Sequence, residues 1–347
     1  MRVLVTGHHG YIGSVTVPAL IAAGHEVVGA DTRFYDGCDL YPSDPPIEER
    51  RVDVRDLGAE DLAGVDAIVH LAALSNDPLG ALSPELTLSI NCDASVALAR
   101  AARAAGVGRF LFASSCSMYG AGGSGLAAED APLSPLTAYA ESKVRAEEAL
   151  RELADDSFSP VFMRNATAFG VSPRLRLDIV LNNLVAWALT TGEVRILSDG
   201  TPWRPLVHVQ DIAQATASIL AAPRELVHSQ AFNVGSDRDN YQVRDLAEIV
   251  AATVEGCTIE YAGSGDPDPR SYQVDFGKLA TAFPELEVRW DAAAGAAELR
   301  DAYGKAGLTL AEFQGDRFVR LNRLNALLEQ RALDKELRWH ESRAATA

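Results

Sequence analysis

Arg2-Val3-Leu4-Val5-Thr6-Gly7-His8-His9-Gly10-Tyr11-Ile12-Gly13 opens the chain with an apolar run followed at once by three glycines spaced GxxGxxG. A short β-branched run of this kind reads as a strand covered on both faces. The stretch from Gly13 to Ala23 that follows reads as a helix. Gly7, Gly10 and Gly13 permit a tight turn and let the backbone approach a ligand closely, at a helix N-terminus whose first N–H groups lack partners. With Tyr11 and Ile12 inside the loop, the segment is placed to hold a dinucleotide pyrophosphate. The next run, Glu26 to Ala30, ends at Asp31. That carboxylate can accept hydrogen bonds from adenosine ribose hydroxyls and would repel a 2'-phosphate, which favours NAD over NADP as cofactor. Arg33, two residues on, leaves NADP open.

Working outward, Ala67 to Leu71, Arg109 to Ala113 and Pro160 to Arg164 are further short apolar runs, and Asn91 to Ala105 is a helix stopped by Gly106. Strands alternating with helices predict a doubly wound parallel α/β sheet over residues 1–170. Beyond Val171 the composition shifts to Pro, Arg and Asp, which predicts a second, smaller lobe over 171–347 that carries specificity, with a return segment to the first domain near 206–236. Phe318, Leu321, Leu324 and Leu328 fall at helical spacing, as in a docked C-terminal helix, with Arg317, Arg320 and Arg323 on another face.

The 347 residues carry a net charge of −17, which argues against nucleic-acid binding, because phosphate backbones are held by surplus Lys and Arg. No run approaches the roughly 18 apolar residues of a membrane span, and strand residues begin at Arg2, so a cytoplasmic location without membrane attachment is expected. Cys38, Cys92, Cys116 and Cys257 lack ligand or disulfide spacing and are read as reduced thiols. His8 and His9 have no third ligand nearby in sequence, so they are read as solvent-facing turn residues and no metal is expected.

Tyr139-Ala140-Glu141-Ser142-Lys143 sets a phenol and an ammonium four residues apart, one helical turn from each other on one face. A neighbouring cation favours the phenolate, which can then take a hydroxyl proton. Upstream, Phe112-Ala113-Ser114-Ser115-Cys116-Ser117 ends a strand, where substrates sit in parallel sheets.

With Asp53-Val54-Arg55-Asp56, His70-Leu71-Ala72-Ala73, Asn91, Arg164 to Gly170 and Gly200 to Ala213, these marks resemble the extended short-chain dehydrogenase/reductase family, and within it the nucleotide-sugar epimerases and dehydratases. The resemblance implies a Rossmann-type first domain with a smaller α/β substrate lobe. It also implies Asp53 and Val54 about the adenine, Leu71, Ala72, Ala73 and Asn91 along the cofactor, and Lys143 on the nicotinamide ribose. Tyr139 is then the base, and Ser115 hydrogen-bonds the reacting oxygen. Ser75, Ser117, Thr167, Asn182, Asn183, Arg204, Arg270 and Tyr272 are the implied contacts to a nucleotide-diphosphate sugar. Arg270 has a second reading, as an ion-pair partner of Asp266 or Asp268. A homodimer built on the helices 91–105 and 139–153 is also implied, although the apolar stripe of the second helix could instead pack on the sheet.

The branch of chemistry is read from departures. Dehydratases of this kind carry Asp-Glu directly after the reactive Ser or Thr, where this chain has Cys116-Ser117. Cys116 is read as a buried small residue. Reversible oxidation at the sugar C4 with hydride returned to the opposite face, an epimerisation, needs only Ser115, Tyr139 and Lys143. A ketosugar reductase using free reduced cofactor is the rival within catalysis, and a non-catalytic NAD sensor the rival outside it. Thr167 and Pro205 stand where the family has Asn and Asp, which leaves sugar and base open.

Overall fold

In the computed structural model, which describes residues 1–43, 45–261 and 270–340 and the backbone alone of 122–124, Val3, Leu4 and Val5 are fully buried in the strand Arg2–Thr6. This strand lies inside a seven-stranded sheet in the order Ala231–Val234, Ser159–Asn165, Arg109–Ser115, Ala67–His70, Arg2–Thr6, Glu26–Asp31, Glu48–Arg51. Every pairing is parallel. The five apolar runs are all strands. Glu48-Glu49-Arg50-Arg51 is a further one, invisible to a hydrophobic pattern because an edge strand needs no apolar residue and its charges discourage further pairing.

Strand order reverses between Arg2–Thr6 and Ala67–His70, which opens a crevice at their carboxyl ends. His70 fastens the two strands together. Its Nδ1 lies 2.6 Å from Thr6 Oγ1 and its Nε2 2.8 Å from Ser95 Oγ. Ser95 spends its own hydrogen on Asn91 O, so Nε2 is the donor and Thr6 donates to Nδ1. Burial pulls His70 down to about 3, so the ring is neutral.

The second lobe has its own core of Phe169, Leu181, Leu206, Leu246 and Leu299. Strand Trp203–His208 pairs parallel to Thr167–Phe169 and antiparallel to Asn240–Gln242. Helices Val180–Thr191, Val243–Thr253 and Ala292–Ala306 contribute to the same core. The C-terminal helix Arg320–Glu329 docks through Leu324 and Leu327, with Leu321 and Leu328 half-buried and Arg320 turned inward. Among the described residues no helix is long and apolar enough to cross a membrane.

Helix Ala138–Arg151 is tied to the sheet by a buried ion pair. Arg164 Nη2 meets Glu147 Oε2 at 2.8 Å, and Arg164 Nη1 donates to Tyr119 Oη and Glu129 O. Removing one partner strands a buried charge, so Glu147→Ala should cost about 3–5 kcal/mol of stability by chemical denaturation. A loss under about 1 kcal/mol contradicts that reading.

Candidate functional site

The crevice encloses about 720 Å³ and is lined by both lobes. Gly7 has φ +74°, and a Cβ there would lie 2.8 Å from Ala72 N; one on Gly13 would lie 2.2 Å from Gly7 O. The loop therefore folds onto itself and onto the neighbouring strand end in a way no side chain permits. Helix Gly13–Ala22 begins there without a side-chain cap. A glycine cradle at an open helix N-terminus fits a pyrophosphate. Gly10, Tyr11 and Ile12 complete that wall, and Leu71, Ala72 and Ala73 face it from the next strand.

Asp31 is fixed by its surroundings: Oδ2 accepts the His9 N–H at 3.1 Å and Oδ1 the Arg33 N–H at 2.7 Å. The Arg33 side chain turns to Asp36 and Glu49. Asp53 and Val54 also line the crevice, with Asp53 held by Arg55.

The structure corrects the reading of His8 and His9. Neither faces solvent; they are 5% and 8% exposed. Gly29 is the cause, since a Cβ there would meet the His8 ring at 2.5 Å, so the strand leaves a slot for the imidazole. Glu49, 40 residues on from His9, brings Oε2 to 3.1 Å from His8 Nε2 and 2.9 Å from His9 Nε2. Two His and a carboxylate have the composition of a metal site. Arg174, however, donates to His9 Nδ1 at 2.7 Å, which puts the ring hydrogen on Nε2 against Glu49, and Arg33 holds the other carboxylate oxygen. The cluster is closed by hydrogen bonds. Although partly buried, Glu49 is held down to about 2 by His9 and His8.

Thr137 caps the helix Ala138–Arg151 and so sets Tyr139 in its first turn. Tyr139, Ser115 and Lys143 come together at the crevice. Apolar surroundings push the phenol up to about 12, against a hydrogen bond with Ser115 that favours the phenolate. Burial pulls Lys143 down to about 7, against the pull of Glu147. Its Nζ donates to Ala113 O at 2.7 Å and lies 5.9 Å from the Tyr139 ring. Cys116 is fully buried, donates to Arg164 O, and has its thiol pushed up by burial.

Ser75, Ser117, Thr167, Asn183, Arg204, Arg270 and Tyr272 also line the crevice. Arg204 donates to the Trp203 and Arg270 carbonyls, and Arg270 pairs with Asp77, which accepts from Thr137 Oγ1 at 2.6 Å. Asp266 and Asp268 lie outside the described residues.

Two asparagines are corrected. Asn91 is fully buried and bonds Leu74 N, Leu74 O and Ser142, while Asn182 is fully buried and bonds the Gly170 backbone and Arg176 O. Neither reaches the crevice, because buried amides are spent on backbone groups that burial would otherwise orphan. Sequence reasoning missed Arg176 and Asp178, a buried bidentate pair at 2.9 and 3.0 Å that also holds Ser75 Oγ and Asn76 Nδ2. The alternating Arg174-Leu175-Arg176-Leu177-Asp178 was the available signal.

Residues 3–235 match the model of the NAD-dependent epimerase/dehydratase family. The chain is 30% identical to UDP-glucose 4-epimerase 4 of Oryza sativa subsp. japonica, over 88% of this chain and 89% of that one. The UDP-glucose 4-epimerase of Thermus thermophilus in complex with NAD superposes with a TM-score of 0.74 at 25% identity, covering 88% of this chain and 99% of that one. An NAD-dependent NDP-hexosamine 5,6-dehydratase involved in tunicamycin biosynthesis gives 0.78 at 25%, covering 88% and 98%. With the glycine cradle, Asp31 and the Ser115–Tyr139–Lys143 constellation in place, the chain belongs to the NAD-dependent epimerase/dehydratase family.

Proposed function

We propose that this enzyme is an NAD-dependent nucleotide-sugar epimerase that inverts a sugar carbon, C4 on this reading. The observation that carries it is the set Ser115, Tyr139 and Lys143 facing a glycine-cradled crevice with no Asp-Glu pair after Ser115. The epimerase relatives support it. NAD, when bound, supplies a hydride acceptor that gives the hydride back.

The rest is done by side chains. Tyr139 takes the proton of the sugar hydroxyl and later returns one, and Ser115 holds the reacting oxygen through its hydroxyl. Lys143, pulled by burial down to about 7, gains and loses its charge readily near neutral pH and in its charged form stabilises the phenolate. Cys116 supplies no acid, because its thiol is buried and committed to Arg164 O. Ser117 Oγ is buried with no partner among the described residues, which suits a hydroxyl to substrate oxygen. Arg204, Arg270 and Asn183 offer donors to a substrate diphosphate.

Incubation with UDP-, dTDP- and GDP-hexoses without reduced cofactor should yield the epimer of one of them. Reaction of 4-ketosugars alone, with consumption of NADH or NADPH, would make the protein a reductase. With Asp31 placed for ribose hydroxyls, NADP should bind at least about tenfold more weakly than NAD by calorimetry, and equal affinities would refute that role.

We also propose the division into a cofactor domain of residues 1–170 with a return segment near 206–236, which carries the sheet strand Ala231–Val234, and a mainly substrate-binding lobe with the C-terminal helix over 171–347, together with a cytoplasmic location and a homodimer on the helices Ala94–Ala104 and Ala138–Arg151. Arg145 and Glu148 are exposed on the second helix, with Val144 and Ala149 half-buried beside them. A monomeric mass by light scattering contradicts the dimer.

A further inference from the structure

Three arginines outside the catalytic set are almost wholly buried near the cofactor end of the crevice: Arg174, Arg176 and Arg320, at 4%, 7% and 2% exposure. A buried guanidinium is expensive unless it is paired, so each demands a partner. Arg174 has Asp39 and His9. Arg176 has both oxygens of Asp178.

Arg320 differs from both. It is the first residue of the C-terminal helix, and it stacks its guanidinium 3.9 Å over the Tyr35 ring and donates Nη2 to Arg174 O at 2.9 Å. Nη1 is buried with no hydrogen-bond acceptor, and no carboxylate pairs with it, among the described residues. Asp178, whose field it feels, is already matched by Arg176. Among the described residues, therefore, this buried positive charge has no counter-ion of its own.

Its position says what is missing. Arg320 lines the crevice together with Thr32, Phe34 and Tyr35, the turn that follows the ribose-side carboxylate Asp31. The charges of Arg320 and Arg176 are both felt at Tyr35, and that of Arg176 also at Tyr11 in the glycine loop. Arg320 thus lines the same crevice as the glycine loop Gly10-Tyr11-Ile12-Gly13, whose open N–H groups suit an anion.

We infer that Arg320 is a cofactor-binding residue: its guanidinium, delivered by the C-terminal helix, donates to the pyrophosphate of NAD. The stacking on Tyr35 and the bond to Arg174 O fix the plane in advance, so little freedom is lost when the anion arrives. The C-terminal helix is thereby part of the cofactor site, although it lies about 300 residues from the glycine loop. The inference needs NAD as cofactor and is independent of whether the enzyme epimerises.

The test is calorimetric titration of full-length protein freed of bound nucleotide, comparing wild type with Arg320→Gln for NAD, ADP-ribose and adenosine. NAD and ADP-ribose should weaken about 10- to 100-fold, the range for losing a charge-assisted hydrogen bond, while adenosine, which has no phosphate, changes less than about twofold. Unchanged NAD and ADP-ribose affinity overturns the inference. An equal loss for adenosine also overturns it, by making Arg320 a structural bracket, as does a loss confined to UDP titrated into NAD-loaded protein. Should Arg320→Gln not fold, Arg320→Lys decides instead: it keeps the charge but not the planar fork, so at least about threefold weaker NAD and ADP-ribose with adenosine unchanged is expected. Wild-type affinities for all three would overturn the inference in that variant.

Discussion

Tyr139→Phe lowers kcat for the epimerisation by about 10³-fold while NAD stays bound. The loss follows from Tyr139 being a proton-transfer group of the crevice whose phenolate Ser115 favours, and positioned acid–base groups contribute about 10²- to 10⁴-fold. The ring itself is retained in Phe. Its backbone start is fixed by the Thr137 cap, and its Cβ sits where a side chain on Gly80 would come within 3.0 Å, so the packing survives loss of the hydroxyl. In ligand-free protein the phenol is pushed up to about 12. Wild-type kcat/KM should accordingly rise with pH as the phenolate forms, on a limb that Tyr139→Phe lacks. An inactive variant that has also lost its NAD would mean that Tyr139 is structural.

The second large effect runs in two directions. Lys143→Met should abolish turnover and yet raise stability at neutral pH by on the order of 1–3 kcal/mol, because a buried amine is replaced by an apolar chain of similar length. The pH dependence fixes the sign. Lys143 titrates at about 7 in the folded protein and near 10.5 when unfolded, so the unfolded chain binds the proton more tightly and burial costs stability below pH 7 in full. That cost fades as pH rises from about 7 to about 10.5, and the advantage of Lys143→Met should shrink over the same window. Denaturation of both proteins at about pH 7 and about pH 10 reads it; an advantage that grows with pH contradicts the assignment.

The parts of the site built from neighbours in sequence were legible. A strand, a glycine turn and a helix within Arg2–Ala22 specify one local geometry, and Tyr139 and Lys143 share a helix face by spacing alone. What was not legible depends on distant residues meeting. His8 and His9 are buried because Gly29 leaves room and Glu49 arrives from an edge strand without an apolar residue. Arg320 reads as one more surface arginine beside Arg317 and Arg323 until the helix docks and turns it inward. Asn91 and Asn182 went astray for a related reason: a side-chain amide that braces buried backbone has the same letters as one that meets a ligand.

The most direct measurement is proton NMR of the protein in D2O with the nucleotide sugar it converts and no added reduced cofactor. An epimer whose inverted carbon keeps its original C–H hydrogen is the predicted result, since the hydride leaves and returns without meeting solvent. Deuterium at that carbon, loss of water from the sugar, or no conversion until NADH is supplied would contradict it.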